Sequence, residues 1–460
     1  MRWSVPRALF LAPVLISATF APMLGCGGGT DTANPTPGGA GTNGAVAQPP
    51  AGAQAGTPQA GPTRPAPTDY TEPRISNPDC LEFSRQRMET VHSANVPGIQ
   101  KFIDWQAMLE TSLTGLPISD AQRNEFVAQF TASEHTYLGE IARQVAQGGD
   151  YKPLHLFRIE SRPQVVFRFL PPMGTEVEYH QFELRRSADG KLRINDAYVY
   201  RTAERLTEVF RRTSVLIFLQ NDPEFINRLA GAARAWVDAG PQLKQLDDAL
   251  AAGDPSGVLG AHAEIPNALR GKLTLLVSCA RAASLMTDLT ALDQVYADIS
   301  RLHPEDPATK LLAIEYHAAR GQWAEGLAAI DRFDQAVEGD PFLNVRRAEM
   351  LIALEDLDKA SAVLRAGIRQ EATLSDAYWM LIDIALAQHD HASTLDGLRA
   401  LDSQFEIDWV DLRQEPNYAE FVKSPQYNEW LGYLQARYQP GQGSGQPAAE
   451  VGALPTGQPQ

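Results

Sequence analysis

Four polar residues in the middle of the chain have side chains suited to acid–base chemistry. Tyr179 and His180 are adjacent, and Asp196 and Tyr198 follow, two positions apart. A carboxylate that accepts a proton and a tyrosine that donates a hydrogen bond can together remove a proton next to a carbonyl group. The alternative is that the tyrosines border a core and Asp196 caps a turn. No spacing puts two of the four residues on one face, so both interpretations stay open.

Motifs for other chemistries are missing from the sequence. It contains no HExxH, no cysteine pairs at metal-binding spacing, no phosphate-cradling glycine loop and no nucleophile elbow. His389-Asp390-His391 has ligand types for a metal, but it falls in a turn between two helical stretches without a second cluster of such residues. A solvated turn is the favoured interpretation, and we expect neither a metal nor a cofactor.

The four polar residues lie on strand-like segments that follow a predicted helix. Ser119-Asp120-Ala121-Gln122 predicts a capping box at the start of this helix, and Gly148-Gly149 predicts its end. Asp189-Gly190 predicts a hairpin turn, and a change in the alternation around 180–182 predicts a bulge. The three predicted strands are 164–170, 176–186 and 191–200. Helices followed by an antiparallel meander predict an α+β cone.

Parts of this region resemble a known fold. The segments 179–184, Asp189-Gly190 and 196–200 are similar to the sheet of a nuclear-transport-factor-2-like domain. The resemblance implies a cone with a possible interior pocket. Some members of that fold are isomerases or hydrolases with acids and bases inside the cone, and many carry out no chemistry. A shared fold does not imply a shared activity, so the resemblance leaves the role of this region open.

The clearest pattern in the chain is an interval of 34 residues in its second half. Turn-like pairs between apolar helical stretches recur at this interval: Gly253-Asp254, Thr287-Asp288, Gly321-Gln322, Glu355-Asp356 and His389-Asp390. Pro307, Pro341 and Ser375 open first helices at the same interval. The period and layout resemble the tetratricopeptide repeat, which implies stacked helix pairs with a curved groove. Gly326 and Ala360 match the small residues of that family.

One row of residues defines the predicted groove. In the repeat family the first helices line the groove, and their ninth positions here are Asp247, Arg281, Glu315, Glu349 and Asp383. This row, with Trp379 as a candidate aromatic anchor, predicts binding of a basic, extended segment of a protein partner. The alternative is a solvated helix face, with Trp379 packed between repeats. The net charge of −16 and the lack of a basic patch argue against nucleic acid.

The first residues predict export and a lipid anchor. Arg2 and Arg7 precede a short apolar stretch, as in a signal peptide. Met23-Leu24-Gly25-Cys26 resembles a bacterial lipobox, which implies lipidation of Cys26. Gly27, rather than Asp, follows the cysteine, as in many outer-membrane lipoproteins. The alternatives are a conventional secreted protein and an uncleaved anchor.

The sequence therefore predicts a multidomain lipoprotein of the cell envelope. Its predicted architecture is an α+β, nuclear-transport-factor-2-like cone followed by an all-α, tetratricopeptide-like solenoid. The segments are a signal peptide at 1–25, a lipidated Cys26 and disordered tether at 26–79, the cone at 80–220, a bridging helix at 221–238, repeats at 239–404, capping helices at 405–437 and a disordered tail at 438–460. We expect a non-catalytic protein-interaction scaffold. The alternative is a small-molecule-binding or enzymatic cone with the repeats as a recruitment arm.

Overall fold

The computed structural model describes residues 76–131, 137–172, 177–286, 289–405 and 407–438. These residues belong to one compact unit. The predicted signal peptide, Cys26, nearly all of the predicted tether and the tail after residue 438 lie outside the described residues. None of the described helices has the length and apolar character needed to cross a membrane.

The first part of the fold is α+β, as the sequence predicts. Its helices are α1 (Asn77–His92), α2 (Val96–Gln100), α3 (Trp105–Leu113), α4 (Asp120–Thr131), α5 (Tyr137–Ala146) and α6 (Leu206–Asn221). Its strands are β1 (Asp150–Ile159), β2 (Arg162–Leu170), β3 (Glu178–Arg186), β4 (Leu192–Val199) and β5 (Glu204–Arg205). The strands form one antiparallel meander in sequence order, between α5 and α6.

Local signals in the sequence account for the ends of several elements. Ser119 Oγ accepts a hydrogen bond from the Gln122 amide at 3.2 Å, and Gln122 Oε1 accepts one from the Ser119 amide at 2.9 Å, so the capping box forms at α4. Gly190, at φ +78°, forms the hairpin turn between β3 and β4. The bulge lies between Glu183 and Leu184, just after the predicted position, where the register shifts.

The first strand is absent from the sequence prediction. β1 contains Pro153, which cannot donate a ladder hydrogen bond, and the register with β2 shifts between Pro153 and His155. Proline is tolerated here because β1 is an edge strand and because the shift absorbs the missing donor. The mixed charges of β1 also hide the alternation typical of a strand.

The two faces of the sheet pack against different parts of the protein. We call the face that packs against α1–α6 the inner face, where Phe167 and Phe182 contribute to the core. We call the opposite face the outer face. Val166, Tyr179 and Tyr198 lie on the outer face and pack with the helices that follow the sheet. Both faces of this sheet are therefore buried.

The second part of the fold consists of helices alone. The segment predicted as one bridging helix contains a 3₁₀-helix at Pro223–Arg228 and a separate helix, α7, because extended Ala230 and Gly231 at φ +58° interrupt it. The α-helices are α7 (Gly231–Asp238), α8 (Gly240–Ala252), α9 (Pro255–Glu264), α10 (Asn267–Arg270), α11 (Leu273–Ser284), α12 (Thr290–Leu302), α13 (Pro307–Ala319), α14 (Trp323–Ala336), α15 (Leu343–Ala353), α16 (Leu357–Gln370), α17 (Ser375–Ala387), α18 (His391–Gln404) and α19 (Pro425–Tyr438).

Five helix pairs follow the 34-residue interval. They are α8–α9, α11–α12, α13–α14, α15–α16 and α17–α18, and each pair also packs against the next one. The described turns share one geometry, because Gly253, Gly321, Glu355 and His389 have φ values of 63°, 65°, 62° and 54°. Glycine adopts this left-handed conformation most readily, so Glu355 and His389 occupy it at a cost.

Small residues allow the helices of neighbouring pairs to approach closely. A Cβ atom on Gly326 would collide with the sulfur of Met350 in α15. Ala360 is completely buried at the matching position of the following pair. Gly326 therefore lies at a close contact between helix pairs, and Ala360 is buried at the equivalent position, as the resemblance to the repeat family implies.

A C-terminal segment covers the last helix pair. It contains 3₁₀-helices at Leu412–Gln414, Pro416–Tyr418 and Phe421–Lys423, followed by α19. Trp430 of α19 packs in one core with Ile382 of α17. This segment thus closes the apolar end of the helical region.

Candidate functional site

The five residues of the predicted row lie on the first helix of successive pairs. Their helices are α8, α11, α13, α15 and α17. The carboxylates of the row are exposed, whereas Arg281 is half-buried. We call this set the carboxylate row: Asp247, Arg281, Glu315, Glu349 and Asp383. Four accessible acids are thus presented on one type of helix.

The row begins beside the α+β region. Burial raises the pKa of Asp247, and the nearby Arg212 guanidinium opposes that shift. Further along, Arg281 and Glu315 line a small cleft of about 20 Å³. Tyr296 and Tyr316 form another wall of this cleft, with their rings stacked at 3.8 Å. Two members of the row therefore share a cleft with an aromatic wall.

At the other end of the row, the acids are surrounded by protein but remain accessible to solvent. The Glu349 side chain is 44% exposed, and Arg346 Nη1 lies 2.7 Å from its Oε2. Burial raises the pKa of Glu349; the Arg346 guanidinium opposes this shift and the charge of Asp376 adds to it. Burial also raises the pKa values of Asp376 and Asp383. These acids are poorly compensated, so a cation supplied by a ligand would stabilise their charged forms.

Trp379 lies between two of these acids on α17. Asp376, Trp379 and Asp383 occupy positions i, i+3 and i+7, which fall on one helix face. The Trp379 side chain is 36% exposed, and its ring centre lies 5.9 Å from that of Trp409, with the planes inclined by 57°. Trp379 and Asp383 were predicted from the sequence, whereas Asp376 was not, although its spacing of three residues from Trp379 was the available signal.

Trp409 is held in place by a buried carboxylate. Asp402 is completely buried, and its side chain accepts hydrogen bonds from Trp409 Nε1 at 2.7 Å and from the hydroxyls of Tyr433 and Tyr438 at 2.8 and 2.7 Å. Arg437 Nε lies 3.0 Å from the same carboxylate. We call these five residues the Asp402 cluster. It fixes the indole that contacts Trp379.

The four residues predicted to border a pocket are divided between the two faces of the sheet. The Tyr179 hydroxyl donates to Asp340 Oδ2 at 2.7 Å, on the outer face. Asp196 accepts hydrogen bonds from the amide and hydroxyl of Thr207 at the start of α6. The structure does not bring these residues together with His180, which lies on the inner face opposite Phe167.

His180 belongs to a buried polar chain on the inner face. Its Nε2 lies 3.2 Å from Glu178 Oε1, and its Nδ1 lies 3.4 Å from the Tyr151 hydroxyl. Arg87 Nη2 donates to that hydroxyl at 3.5 Å, and the Arg87 guanidinium lies 4.4 Å from the Phe182 ring centre. A histidine between a carboxylate and a hydroxyl is an arrangement that can hold and move protons.

Little space adjoins this polar chain. A cavity of about 10 Å³, room for at most one water molecule, lies between His180, Ile103 and Val199. Phenylalanine and valine side chains such as Phe167 and Val165 fill the rest of the inner-face core. The buried chain is therefore closed to a substrate in this conformation.

The outer face contains polar residues that were not predicted from the sequence. The Tyr198 hydroxyl donates to Asp306 Oδ1 at 2.6 Å. Tyr198 lies on β4, next to β3, which contains Tyr179 and its contact with Asp340. Asp306 and Asp340 are 34 residues apart, and each directly precedes a proline. Pro307 opens α13 as predicted, whereas the prediction for Pro341 was wrong, because α15 begins two residues later, at Leu343. The repeated Asp-Pro pair was the available signal, because an aspartate at this position can serve a partner as well as cap its own helix.

A buried arginine connects β2 to two successive inter-pair turns. Arg168 Nη1 donates to Asp340 Oδ1 at 2.6 Å, and Nη2 donates to Glu371 Oε1 at 2.6 Å. Arg168 is completely buried. Lys152 Nζ donates to Glu371 Oε1 at 2.8 Å, and Asp150 Oδ2 accepts from Arg168 at 3.3 Å. We call these five residues the Arg168 cluster. It joins the sheet to the helix pairs.

The described residues include no group of three or more His, Cys, Asp or Glu side chains that could hold a metal ion. His389 occupies the left-handed turn, and Asp390 caps α18 by accepting from the Ser393 amide at 3.0 Å.

No family model matches the chain, and a search for similar curated proteins found no match.

Proposed function

We propose that this chain is an envelope-anchored, non-catalytic scaffold whose helical repeats bind a basic, extended segment of a protein partner. The observation that carries the proposal is the carboxylate row, in which Glu315, Glu349 and Asp383 are exposed on three consecutive first helices. An extended segment that runs across the helix pairs would meet one carboxylate per pair. Complementary charge would then fix its position and speed its capture.

The repeat architecture supports this role. The 34-residue interval, the shared turn geometry and the small residues between pairs are similar to a tetratricopeptide solenoid, in which each unit packs only on its neighbours. We therefore propose that the first helices line a concave groove. The raised pKa values of Glu349 and Asp383, at exposed positions, agree with a concave setting that surrounds the acids with protein.

The α+β region supports the scaffold more than the alternative of a catalytic pocket. Its helices and meander are similar to a nuclear-transport-factor-2-like cone, but apolar side chains fill the inner-face core. Tyr179 and Tyr198 bind Asp340 and Asp306 on the outer face. We infer that this region braces the repeats. A small-molecule role would require the inner face to open beside His180.

Charge reversal in the carboxylate row tests the groove. We expect the triple variant Glu315→Lys, Glu349→Lys and Asp383→Lys to lose at least about tenfold in affinity for a basic partner, because three attractive charges become repulsive. The measurement is crosslinking and co-purification of the full chain from its native envelope, followed by titration with the basic partner recovered. The salt dependence of binding should also become flatter.

A matched variant separates local charge from net charge. Glu89→Lys, Glu110→Lys and Glu125→Lys change three exposed acids of α1, α3 and α4 and alter the net charge equally. We expect this control to bind normally. Equal binding by the row variant and the wild-type chain would exclude the groove as the binding surface.

The lipid anchor is proposed from the leader. Arg2, Arg7 and the segment that ends at Cys26 support lipidation, and Gly27 supports sorting to the outer membrane. We expect Cys26→Ser to move most of the protein from the membrane fraction to the soluble fraction. Detergent phase partition and incorporation of labelled palmitate would measure this shift, with Cys80→Ser as the control thiol. Unchanged partition and labelling would rule out Cys26 as the anchor.

A further inference from the structure

We propose that Trp379 and the acids on either side of it bind an arginine side chain of the partner, so that the groove selects arginine over lysine. This inference rests on the proposed function, because it concerns the same face of the first helices. It goes further by naming the chemical group that is bound. The site consists of Asp376, Trp379 and Asp383 on α17, with Glu349 on α15 and Trp409 in the C-terminal segment.

The helix geometry places one aromatic ring between two acids. With a rise of about 1.5 Å per residue, Asp376 and Asp383 lie about 10 Å apart along α17, with Trp379 between them on the same face. A guanidinium group stacked on the indole would lie within reach of a carboxylate. Its planar face would contact the ring while its edge donates hydrogen bonds.

The second tryptophan makes the aromatic wall rigid before any ligand arrives. Trp409 contacts both Trp379 and Trp430, and its ring centre lies 4.9 Å from that of Trp430. Its indole nitrogen donates to the buried Asp402 carboxylate at 2.7 Å. A wall that is already ordered loses little conformational entropy on binding, which favours affinity.

The charges around the ring are suited to a cation. Glu349 and Asp376 lie close enough for the charge of Asp376 to raise the pKa of Glu349, and burial raises the pKa of Asp383. Arg346 compensates Glu349 in part, at 2.7 Å. A bound cation would relieve the repulsion that remains among these carboxylates.

Arginine fits this arrangement better than lysine. The guanidinium is flat and weakly hydrated, so it can stack on Trp379 and keep hydrogen bonds to a carboxylate at the same time. The lysine ammonium is a compact, strongly hydrated charge that gains less from the ring. The difference should appear as selectivity between peptides that carry equal charge.

The test is a titration of the full chain with oligoarginine and oligolysine peptides of equal length. Calorimetry and tryptophan fluorescence measure the binding. We expect oligoarginine to bind about three- to tenfold more tightly, as a cation–π contribution of about 1 kcal/mol implies. Trp379→Leu should remove this preference and leave the weaker, charge-driven binding of both peptides. Trp379→Phe should keep part of it and so exclude a simple loss of folding.

The outcomes distinguish this inference from the proposed function. Trp323→Leu, which alters a half-buried tryptophan on α14, should keep the preference for arginine. Equal affinity for the two peptides, or an unchanged preference in Trp379→Leu, would overturn the arginine site and leave the acidic groove intact. If neither peptide binds to the wild-type chain, the groove proposal and the arginine site both fail.

Discussion

Replacement of Arg168 by methionine should lower the free energy of unfolding by about 3–5 kcal/mol. The substitution keeps a flexible, unbranched stem but removes the cation between Asp340 and Glu371. The Asp340 side chain is completely buried, so its carboxylate would remain in a low-dielectric site with the Tyr179 hydroxyl and the Phe342 amide as donors. A buried charge without its partner is among the most destabilising changes in a protein.

A control on a helix of the same region separates burial from charge. Arg143 of α5 pairs with Glu140, and their side chains are 56% and 41% exposed. Arg143→Met should change stability by less than about 1 kcal/mol, because exposed ion pairs contribute little. Urea unfolding followed by circular dichroism measures both variants. Similar small losses in the two would show that the Arg168 cluster does not hold the sheet to the helices.

The pH dependence of the Arg168 cluster provides an independent readout. Burial alone would raise the pKa of Asp150, but His92, Lys152 and Arg168 lower it to about 2. A carboxyl with a lowered pKa stabilises the fold above its unfolded pKa of about 4 and loses that contribution as the pH falls toward 2. The Arg168→Met variant should therefore lose less stability than the wild-type chain between pH 4 and about 2.

Replacement of Asp402 by alanine should cost about 3 kcal/mol and should loosen the C-terminal segment first. The change removes the acceptor shared by Trp409, Tyr433 and Tyr438 and the partner of Arg437. Tyr438 and Arg437 can turn to water because they are partly exposed, whereas the Trp409 indole nitrogen loses its acceptor inside the cap. Tryptophan fluorescence should thus report a transition at lower urea than circular dichroism does.

Glu429 provides a matched control within the same C-terminal segment. It is exposed and lies 3.7 Å from Arg399, so Glu429→Ala should alter stability by less than about 0.5 kcal/mol. Coincident transitions for Asp402→Ala by both probes, with no loss relative to Glu429→Ala, would contradict the role assigned to Asp402. Asp402→Ala should also weaken the proposed preference for arginine, since Trp409 would no longer be fixed against Trp379.

The helical half of the fold could be predicted because its signals are local and repeat. Gly253 and Gly321 mark turns that require a positive φ, and the interval then identifies Glu355 and His389 as turn residues despite their side chains. Pro307 begins α13 because the first turn of a helix does not need the amide hydrogen that proline lacks, and this reason is local. Such signals need no information about distant parts of the chain.

The contact between the sheet and the helices could not be predicted in the same way. Arg168 and Glu371 are separated by 203 residues, and one sequence carries no record of which distant charges meet. Alternation along a strand places adjacent residues, such as Tyr179 and His180, on opposite faces of a sheet. It could not predict that helix pairs cover the outer face, so the tyrosines there could be mistaken for the rim of a pocket.

The Arg168 cluster has a mechanical consequence for the repeats. A stack of helix pairs in which each pair contacts only its neighbours is flexible, because small rotations between pairs add up along its length. Arg168 donates hydrogen bonds to Asp340 and Glu371, which lie in the turns before α15 and α17. The Tyr198 hydroxyl donates to Asp306, which lies before α13. The turns before three successive first helices are thus anchored to one sheet, and we expect the curvature of this part of the helical region to change little.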